Sequence, residues 1–369
     1  MRLRTSFTYL SSLCFALWLG GFAVAQQESS KADAKSASEV FPGKSWEKVD
    51  RPEEIGWSAE KLAAARKESE KIGSAAVIVV HRGKIVSEWG QMTKRYYVHS
   101  IRKSFLSSLY GIPGLAEKID LNATMVQLGI DDNPPALTAV EKQATALDLL
   151  KARSGVYHPA VAETEAMKRR RPERGSHAHD TFWYYNNWDF NVLGTVFQQR
   201  TDLSVFEAFE KYLAKPLEME DFRLEDGRYG RGDDSIHPAY KFRMTARDMA
   251  RFGLLFARGG RWQEKQIVPA AWVAESTKSH SPATGENGKI RGGYGYLWWT
   301  EFNNLQLPNA DLPAGSFSAR GSGGHYILVV PAWDLVIVHR MDTDNPIGPR
   351  INSDQFGTLV QLIVDAMPK

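Results

Sequence analysis

The strand-forming runs of this chain lie at its two ends. Residues 75–80 read Ala-Ala-Val-Ile-Val-Val and 84–89 read Lys-Ile-Val-Ser-Glu-Trp, with His81-Arg82-Gly83 between them. Far downstream, 325–330 and 335–340 form a second pair of β-branched runs joined by Pro331-Ala332-Trp333-Asp334. Each pair reads as a hairpin. From about 120 to 290 strand signals thin out, and helical periodicity prevails over 137–153, 187–201, 204–213 and 245–257. Two polar loops, 161–181 and 225–238, interrupt it. The economical solution is an α+β fold. One antiparallel sheet is built from both termini and flanked by terminal helices, and a mainly helical lobe, roughly 120–290, is inserted in it. The first flanking helix takes Ser58 as N-cap and ends before Gly73; the last spans about 354–366.

Residues 1–25 are not expected in the fold. Arg2 and Arg4 precede an apolar stretch over 10–24, and Ala23-Val24-Ala25 is a small-residue cleavage site. Cleavage after Ala25 predicts a periplasmic or secreted protein with no membrane span left. The one cysteine, Cys14, falls in this segment, behind Ser11-Ser12-Leu13 rather than the small residue expected before a lipidated cysteine. The mature chain then has no disulfide, thiol nucleophile or cysteine metal site. Residues 26–45 have the polar composition of a disordered leader, which leaves 46–369 as one large domain. A net charge of +3 over 369 residues lacks the basic footprint of nucleic-acid binding.

Three clusters carry chemistry. Ser100-Ile101-Arg102-Lys103 opens an apolar helical run over 100–109. Residues three apart share a helix face, so the Ser100 hydroxyl and Lys103 amine point the same way. A serine becomes nucleophilic when a neighbouring base takes its proton, and a lysine of lowered pKa is such a base. The same four residues also fit a surface helix start with Ser as cap and a solvated Lys. The second cluster, Tyr185-Asn186-Asn187, sits where a loop turns into a helix. Tyr185 would shuttle a proton if Lys103 keeps it partly ionised, and the Asn187 amide would hold a substrate carbonyl or the lysine; a plain capped helix with packed aromatics is the alternative. The third, Arg320-Gly321-Ser322-Gly323-Gly324-His325, opens a strand. Its small residues let a substrate lie along the backbone, with the His325 N–H as oxyanion donor beside that of Ser100.

Other signals are set aside. His177 and His179 beside Asp180 read as solvated rather than metal-binding, and no metal or cofactor is expected. Lys168 to Arg171 read as a solvated face that would compensate for a missing cation if it bordered the cleft, and Arg320 is a second candidate carboxylate anchor. Arg153-Ser154-Gly155 reads as a helix stop beside the site. Trp298 and Trp299 read as core, and Glu141 and Asp148 as helix-surface acids.

The order of the three clusters resembles the serine β-lactamase and penicillin-binding-protein superfamily. The nearest branch holds class C β-lactamases, D-aminopeptidases, family-VIII-type esterases and aminohexanoate-oligomer hydrolases. The resemblance covers roughly 50–367 and implies a β-lactamase/transpeptidase-like fold. It implies that Ser100 is acylated, that Lys103 is its base or the proton partner of Tyr185, that Tyr185 protonates the leaving group, and that Asn187 positions the substrate. Ser322-Gly323-Gly324 falls where the family places Lys-Thr-Gly, so the lysine that pairs with a β-lactam carboxylate is replaced by Ser322. Tyr-Asn-Asn stands in place of Ser-Asp-Asn. The implied protein is an exported serine hydrolase acting through an acyl-enzyme on small esters or amides, with esters favoured. A D-amino-acid peptidase acting near peptidoglycan, or a catalytically silent binding module of the same fold, are the alternatives.

Overall fold

A computed structural model describes residues 39–285 and 288–369. The expected signal peptide, and the leader as far as residue 38, lie outside the described residues. The strands are Ala76–His81 (β1), Lys84–Gly90 (β2), Tyr96–Tyr97 (β3), Gly227–Gly232 (β4), Ser235–Met244 (β5), Arg261–Trp262 (β6), Lys265–Gln266 (β7), Ser281–Thr284 (β8), Ile290–Tyr294 (β9), Trp299–Thr300 (β10), Phe317–Gly321 (β11), His325–Val330 (β12) and Leu335–Arg340 (β13). The α-helices are Ala59–Lys71 (α1), Arg102–Gly111 (α2), Met125–Leu128 (α3), Ala146–Leu150 (α4), Glu165–Arg170 (α5), Asn187–Thr201 (α6), Val205–Phe209 (α7), Ala246–Ala257 (α8), Ala270–Ser276 (α9) and Ser353–Asp365 (α10).

The main sheet is antiparallel, in the order β2-β1-β13-β12-β11-β10-β9-β8. Its centre pairs the N-terminal hairpin with the C-terminal one, Ala76 opposite Arg340 and His81 opposite Leu335. β1, β12 and β13 are buried along their whole length, which is why their sequences run apolar without alternation. Side chains still alternate by face. Ala76, Ile78 and Val80 join the core shared with α2, α6 and α8, whereas Val77 and Val79 pack under α1 and α10. α1 begins where Ser58 Oγ accepts the Lys61 N–H at 3.3 Å. α10 begins with a reciprocal cap between Asn352 and Gln355. The two-termini architecture, both hairpins and both flanking helices stand where the sequence places them.

Four expectations need correction. Residues 161–181 are not all loop: Thr164 caps α5, Glu165–Arg170, within them. Residues 225–238 are not a loop: β4 and β5 form a hairpin that joins β3 in a second sheet. Gly227, Gly230, Gly232 and Pro238 give that hairpin the composition of a turn. Residues 137–153 are not one helix. The Thr145 side chain accepts the Asp148 N–H and Asp148 accepts the Thr145 N–H, a box that starts the short α4 afresh. Glu141 and Asp148 are therefore buried structural acids, Glu141 being paired with Arg174. The leader also ends earlier than its composition suggests. Phe41 packs edge-on against Trp262 at 5.3 Å, and Val40 and Gly43 carbonyls accept from Arg258 and Arg251 at 2.6 and 2.8 Å.

Candidate active site

Ser100 lies in a single 3-10 turn, His99–Ile101, where the chain leaves β3 for α2. All ten residues of α2 are buried, so Lys103 is held inside the protein rather than solvated. Its Nζ lies 2.7 Å from Ser100 Oγ and 2.9 Å from Tyr185 Oη. The amine also sits over the Tyr185 and Phe190 rings, at 4.7 and 4.8 Å from their centroids. Burial, helped by the charge of Arg102, pulls Lys103 well below its ordinary pKa. Burial pushes the Tyr185 phenol up to about 12, against smaller opposing effects of Ser100 and Arg102. Tyr185 is therefore held protonated, not partly ionised, and Lys103 is the basic member of the pair.

His99 precedes the nucleophile with φ of 50°, a left-handed conformation that costs a non-glycine residue energy. It is held from the β13 side: its Nε2 lies 2.8 Å from Thr343 Oγ1, and its ring rests 5.2 Å from that of His325. Burial and the nearby Arg340 and Arg350 lower the His99 pKa to about 4, so the ring is neutral.

Tyr185 is positioned by the start of α6. The Asn186 side chain caps the helix by accepting the Trp188 N–H at 3.2 Å, and its amide donates to Val156 O and Asp189 Oδ1 at 2.7 and 2.8 Å. Ser154 Oγ donates to the same Asp189 oxygen at 2.6 Å, so the 153–155 stop buttresses this turn. Asp189 carries no reading in the sequence, whereas the asparagine cap and the 153–155 stop beside it are visible there. Asn187 does not hold the lysine. Its amide donates to Ala162 O at 2.7 Å, and its buried Oδ1 has no partner among the described residues.

The glycine-rich cluster divides at Ser322. Arg320, Gly321 and Ser322 line a cavity of about 710 Å³ together with Ser100, Lys103, Tyr185 and Asn187. Gly321 backs onto the nucleophile turn: a Cβ there would stand 2.4 Å from Val98 O. Gly323 and Gly324 face away, toward Thr343 and Ile351, with φ of 87° and 104°. His325 lies opposite Gly321 in the β11–β12 ladder, its buried ring accepting from Arg340 Nε at 2.9 Å. The strand segment on the cavity is thus 320–322, and Gly321, not His325, is the residue set against the nucleophile turn there.

Trp298 is core, but Trp299 lines the cavity and stacks 5.5 Å from Tyr185. Arg170 also lines the cavity, whereas Lys168 and Arg171 pair with Glu165 and Glu163. Lys241 of β5 is a further lining residue, just beyond the 225–238 stretch that the sequence reads as a loop. His177 stacks on Phe182 at 3.9 Å, and the His179 ring nitrogens meet the Ser154 and Val140 carbonyls at 2.5 and 2.9 Å.

A serine, a lysine and a tyrosine converging between a two-termini sheet and an inserted lobe define a serine-hydrolase type of fold and site. The chain belongs to the β-lactamase family, whose model matches residues 59–360. It is 23% identical over 310 residues to an uncharacterized protein of Alkalihalophilus pseudofirmus, covering 73% of this chain and 84% of that one. Among solved structures it resembles a putative 6-aminohexanoate-dimer hydrolase from Bacillus anthracis, with TM-score 0.61, 18% identity, and 88% and 87% of the two chains covered. A family VIII carboxylesterase gives TM-score 0.61, 16% identity, and coverage of 85% and 99%. A class C β-lactamase gives 0.58, 17%, and coverage of 84% and 95%. These likenesses establish the β-lactamase/transpeptidase-like fold.

Proposed function

We propose that this protein is an exported serine hydrolase that turns over small esters or amides through an acyl-enzyme on Ser100, with esters the better substrates. The observation that carries this reading is the Lys103 amine, buried and bridging Ser100 Oγ and Tyr185 Oη at 2.7 and 2.9 Å. In acylation, Ser100 Oγ attacks the substrate carbonyl while neutral Lys103 takes its proton. The oxyanion is received by the backbone N–H groups of Ser100 and Ser322. Tyr185 then gives its phenolic proton to the leaving oxygen or nitrogen, the acyl–leaving-group bond breaks, and the Lys103 ammonium reprotonates Tyr185. Water releases the acyl group by the same route in reverse. Esters are favoured because an alkoxide or phenoxide needs less protonation than an amine to depart. The unpartnered Asn187 Oδ1 is suited to accept an N–H from an amide-bearing substrate. The carboxylesterase and aminohexanoate-dimer hydrolase among the structural relatives support the same substrate range. Export rests on the Arg2, Arg4, apolar, Ala-Val-Ala start of the chain.

The test is intact-mass analysis after a fluorophosphonate probe, alongside turnover of a p-nitrophenyl ester. One adduct on Ser100, absent from Ser100→Ala, is expected, with turnover lost in Ser100→Ala and reduced about 1,000-fold or more in Lys103→Ala. Near-wild-type turnover in either folded variant overturns the assignment.

A further inference from the structure

The turn that carries Ser100 has no side-chain cap at Val98, and its first residue, His99, stands at φ of 50°. A non-glycine residue keeps that conformation only where its surroundings impose it. The His99 ring makes one hydrogen bond among the described residues, between Nε2 and Thr343 Oγ1 at 2.8 Å. Thr343 lies beyond β13, in a loop that is itself tied down. Arg350 donates through Nη2 to Thr343 O and Asn345 O at 3.2 and 3.0 Å, and through Nη1 to Gly348 O and Pro349 O at 2.9 and 3.0 Å. Asp344 accepts from both terminal nitrogens of Arg243 at 2.8 Å. The Thr343 methyl closes against the turn between β11 and β12, where a Cβ on Gly323 would stand 2.7 Å from Thr343 Cγ2.

The direction of the His99 bond follows from the far end of a chain of partners. Arg340 is buried, and a guanidinium has donors and no acceptor. Its terminal nitrogens donate to the Met244, Tyr96 and Tyr97 carbonyls at 2.7, 3.1 and 3.0 Å, which fixes the group in place. Its Nε donates to His325 Nδ1 at 2.9 Å, so that Nδ1 carries no proton. Burial and the Arg340 charge hold the His325 pKa well below its ordinary value, and the ring is neutral. Its one proton is therefore on Nε2, which donates to Thr343 Oγ1 at 3.3 Å. The Thr343 hydroxyl has a single proton, and these two rings are its partners among the described residues. Since one ring donates to it, it donates to the other, at His99 Nε2. The neutral His99 ring then carries its own proton on Nδ1. Arg340, His325, Thr343 and His99 form a one-way series that ends one residue before Ser100.

Resting on the acyl-enzyme reading above, we propose that Thr343 is a positioning residue for the reaction: its hydroxyl, oriented by Arg340 through His325, holds His99 in the left-handed conformation from which Ser100 meets Lys103. Thr343 is not one of the residues that line the cavity, so it acts through His99 and not on substrate. The His99 carbonyl and the Ser100 N–H belong to one planar peptide. Any rotation of the His99 backbone therefore carries with it the Ser100 N–H and the Oγ that lies 2.7 Å from Lys103 Nζ.

Two substitutions separate the hydroxyl from the packing. Thr343→Val keeps the methyl against Gly323 and removes the hydroxyl; Thr343→Ser keeps the hydroxyl and removes the methyl. In Thr343→Val the rate of fluorophosphonate labelling of Ser100 and kcat on a p-nitrophenyl ester are expected to fall together, by about 10- to 100-fold, with KM within about threefold of wild type. Thr343→Ser is expected to restore both rates to within about threefold of wild type. Wild-type labelling in Thr343→Val, or equal losses in the two variants, overturns the proposal and leaves the acyl-enzyme reading standing. No labelling of the folded wild-type protein overturns both. A second measurement needs no change at Thr343. Long-range proton–nitrogen correlation spectra of the imidazole rings report which nitrogen carries the proton. The His99 signals are assigned by their loss in His99→Asn, asparagine being tolerant of a left-handed φ. The proton is expected on His99 Nδ1; a proton on His99 Nε2 reverses the series and overturns the proposal.

Discussion

Gly321 offers a direct probe of how closely the nucleophile depends on its sheet. Its φ lies outside the left-handed region, so alanine suits its backbone and the only effect of Gly321→Ala is steric. The added Cβ would stand 2.4 Å from Val98 O, 3.1 Å from His325 Cβ and 3.3 Å from His99 Cβ. Val98 O is backbone, two residues before Ser100, and cannot rotate away. Relief requires β11 and the nucleophile turn to separate by at least about 0.6 Å, to the 3.0 Å below which Cβ contacts essentially do not occur. Ser100 and Ser322, the proposed oxyanion donors, flank that gap and would move apart by a similar amount. A misplacement of about 1 Å costs on the order of 100-fold in rate. We therefore expect kcat/KM to fall about 30- to 100-fold on a p-nitrophenyl ester, mostly in kcat. Overpacking should cost about 1–3 kcal/mol of stability, read by urea unfolding. A folded Gly321→Ala protein within threefold of wild-type kcat/KM would refute the argument that this contact sets the site geometry.

The pH profile tests the assignment of base and acid. With Lys103 as base, kcat/KM should rise with pH through the lowered Lys103 pKa and then hold until Tyr185 loses its proton near 12. An alkaline limb at or below the ordinary phenol value of about 10 would contradict it. Asp132 ties the lobe together: its carboxylate accepts from Trp188 Nε1, Ser235 Oγ and the Ile236 N–H at 2.8, 2.6 and 2.9 Å. Asp132→Ala strands these donors in the interior and should cost about 3–5 kcal/mol in urea unfolding; a loss under about 1 kcal/mol would show that the lobe does not rely on this junction.

What the sequence made legible was what local chemistry encodes. The two hairpins were plain because central strands of a sheet covered on both faces run apolar without pause, as in β1 and β13. Ser100 and Lys103 were plain because i,i+3 spacing converts directly into proximity. Tyr185 was findable from the asparagine that caps its helix. The β4–β5 hairpin was not legible, since glycines and Pro238 imitate a turn, and Lys241 disappeared with it. The register of the glycine-rich cluster was misjudged by a few residues. Composition shows that a strand begins there, but which residues face the cavity depends on where β11 ends and its turn to β12 begins. The protonation of Tyr185 was also beyond the sequence, because it follows from burial.

The sheet also fixes an order of events during synthesis. Its central pairing joins residues 76–81 to 335–340, and the strand that backs Ser100 arrives only with residues 317–321. Closing so long a stretch of chain is an entropic cost that local helices do not bear, and topologies of this kind fold slowly. A nascent chain therefore carries Ser100, Lys103 and Tyr185 long before it has the strand that backs the nucleophile turn. The sheet closes only when the last two strands slot between the first hairpin and the rest of it.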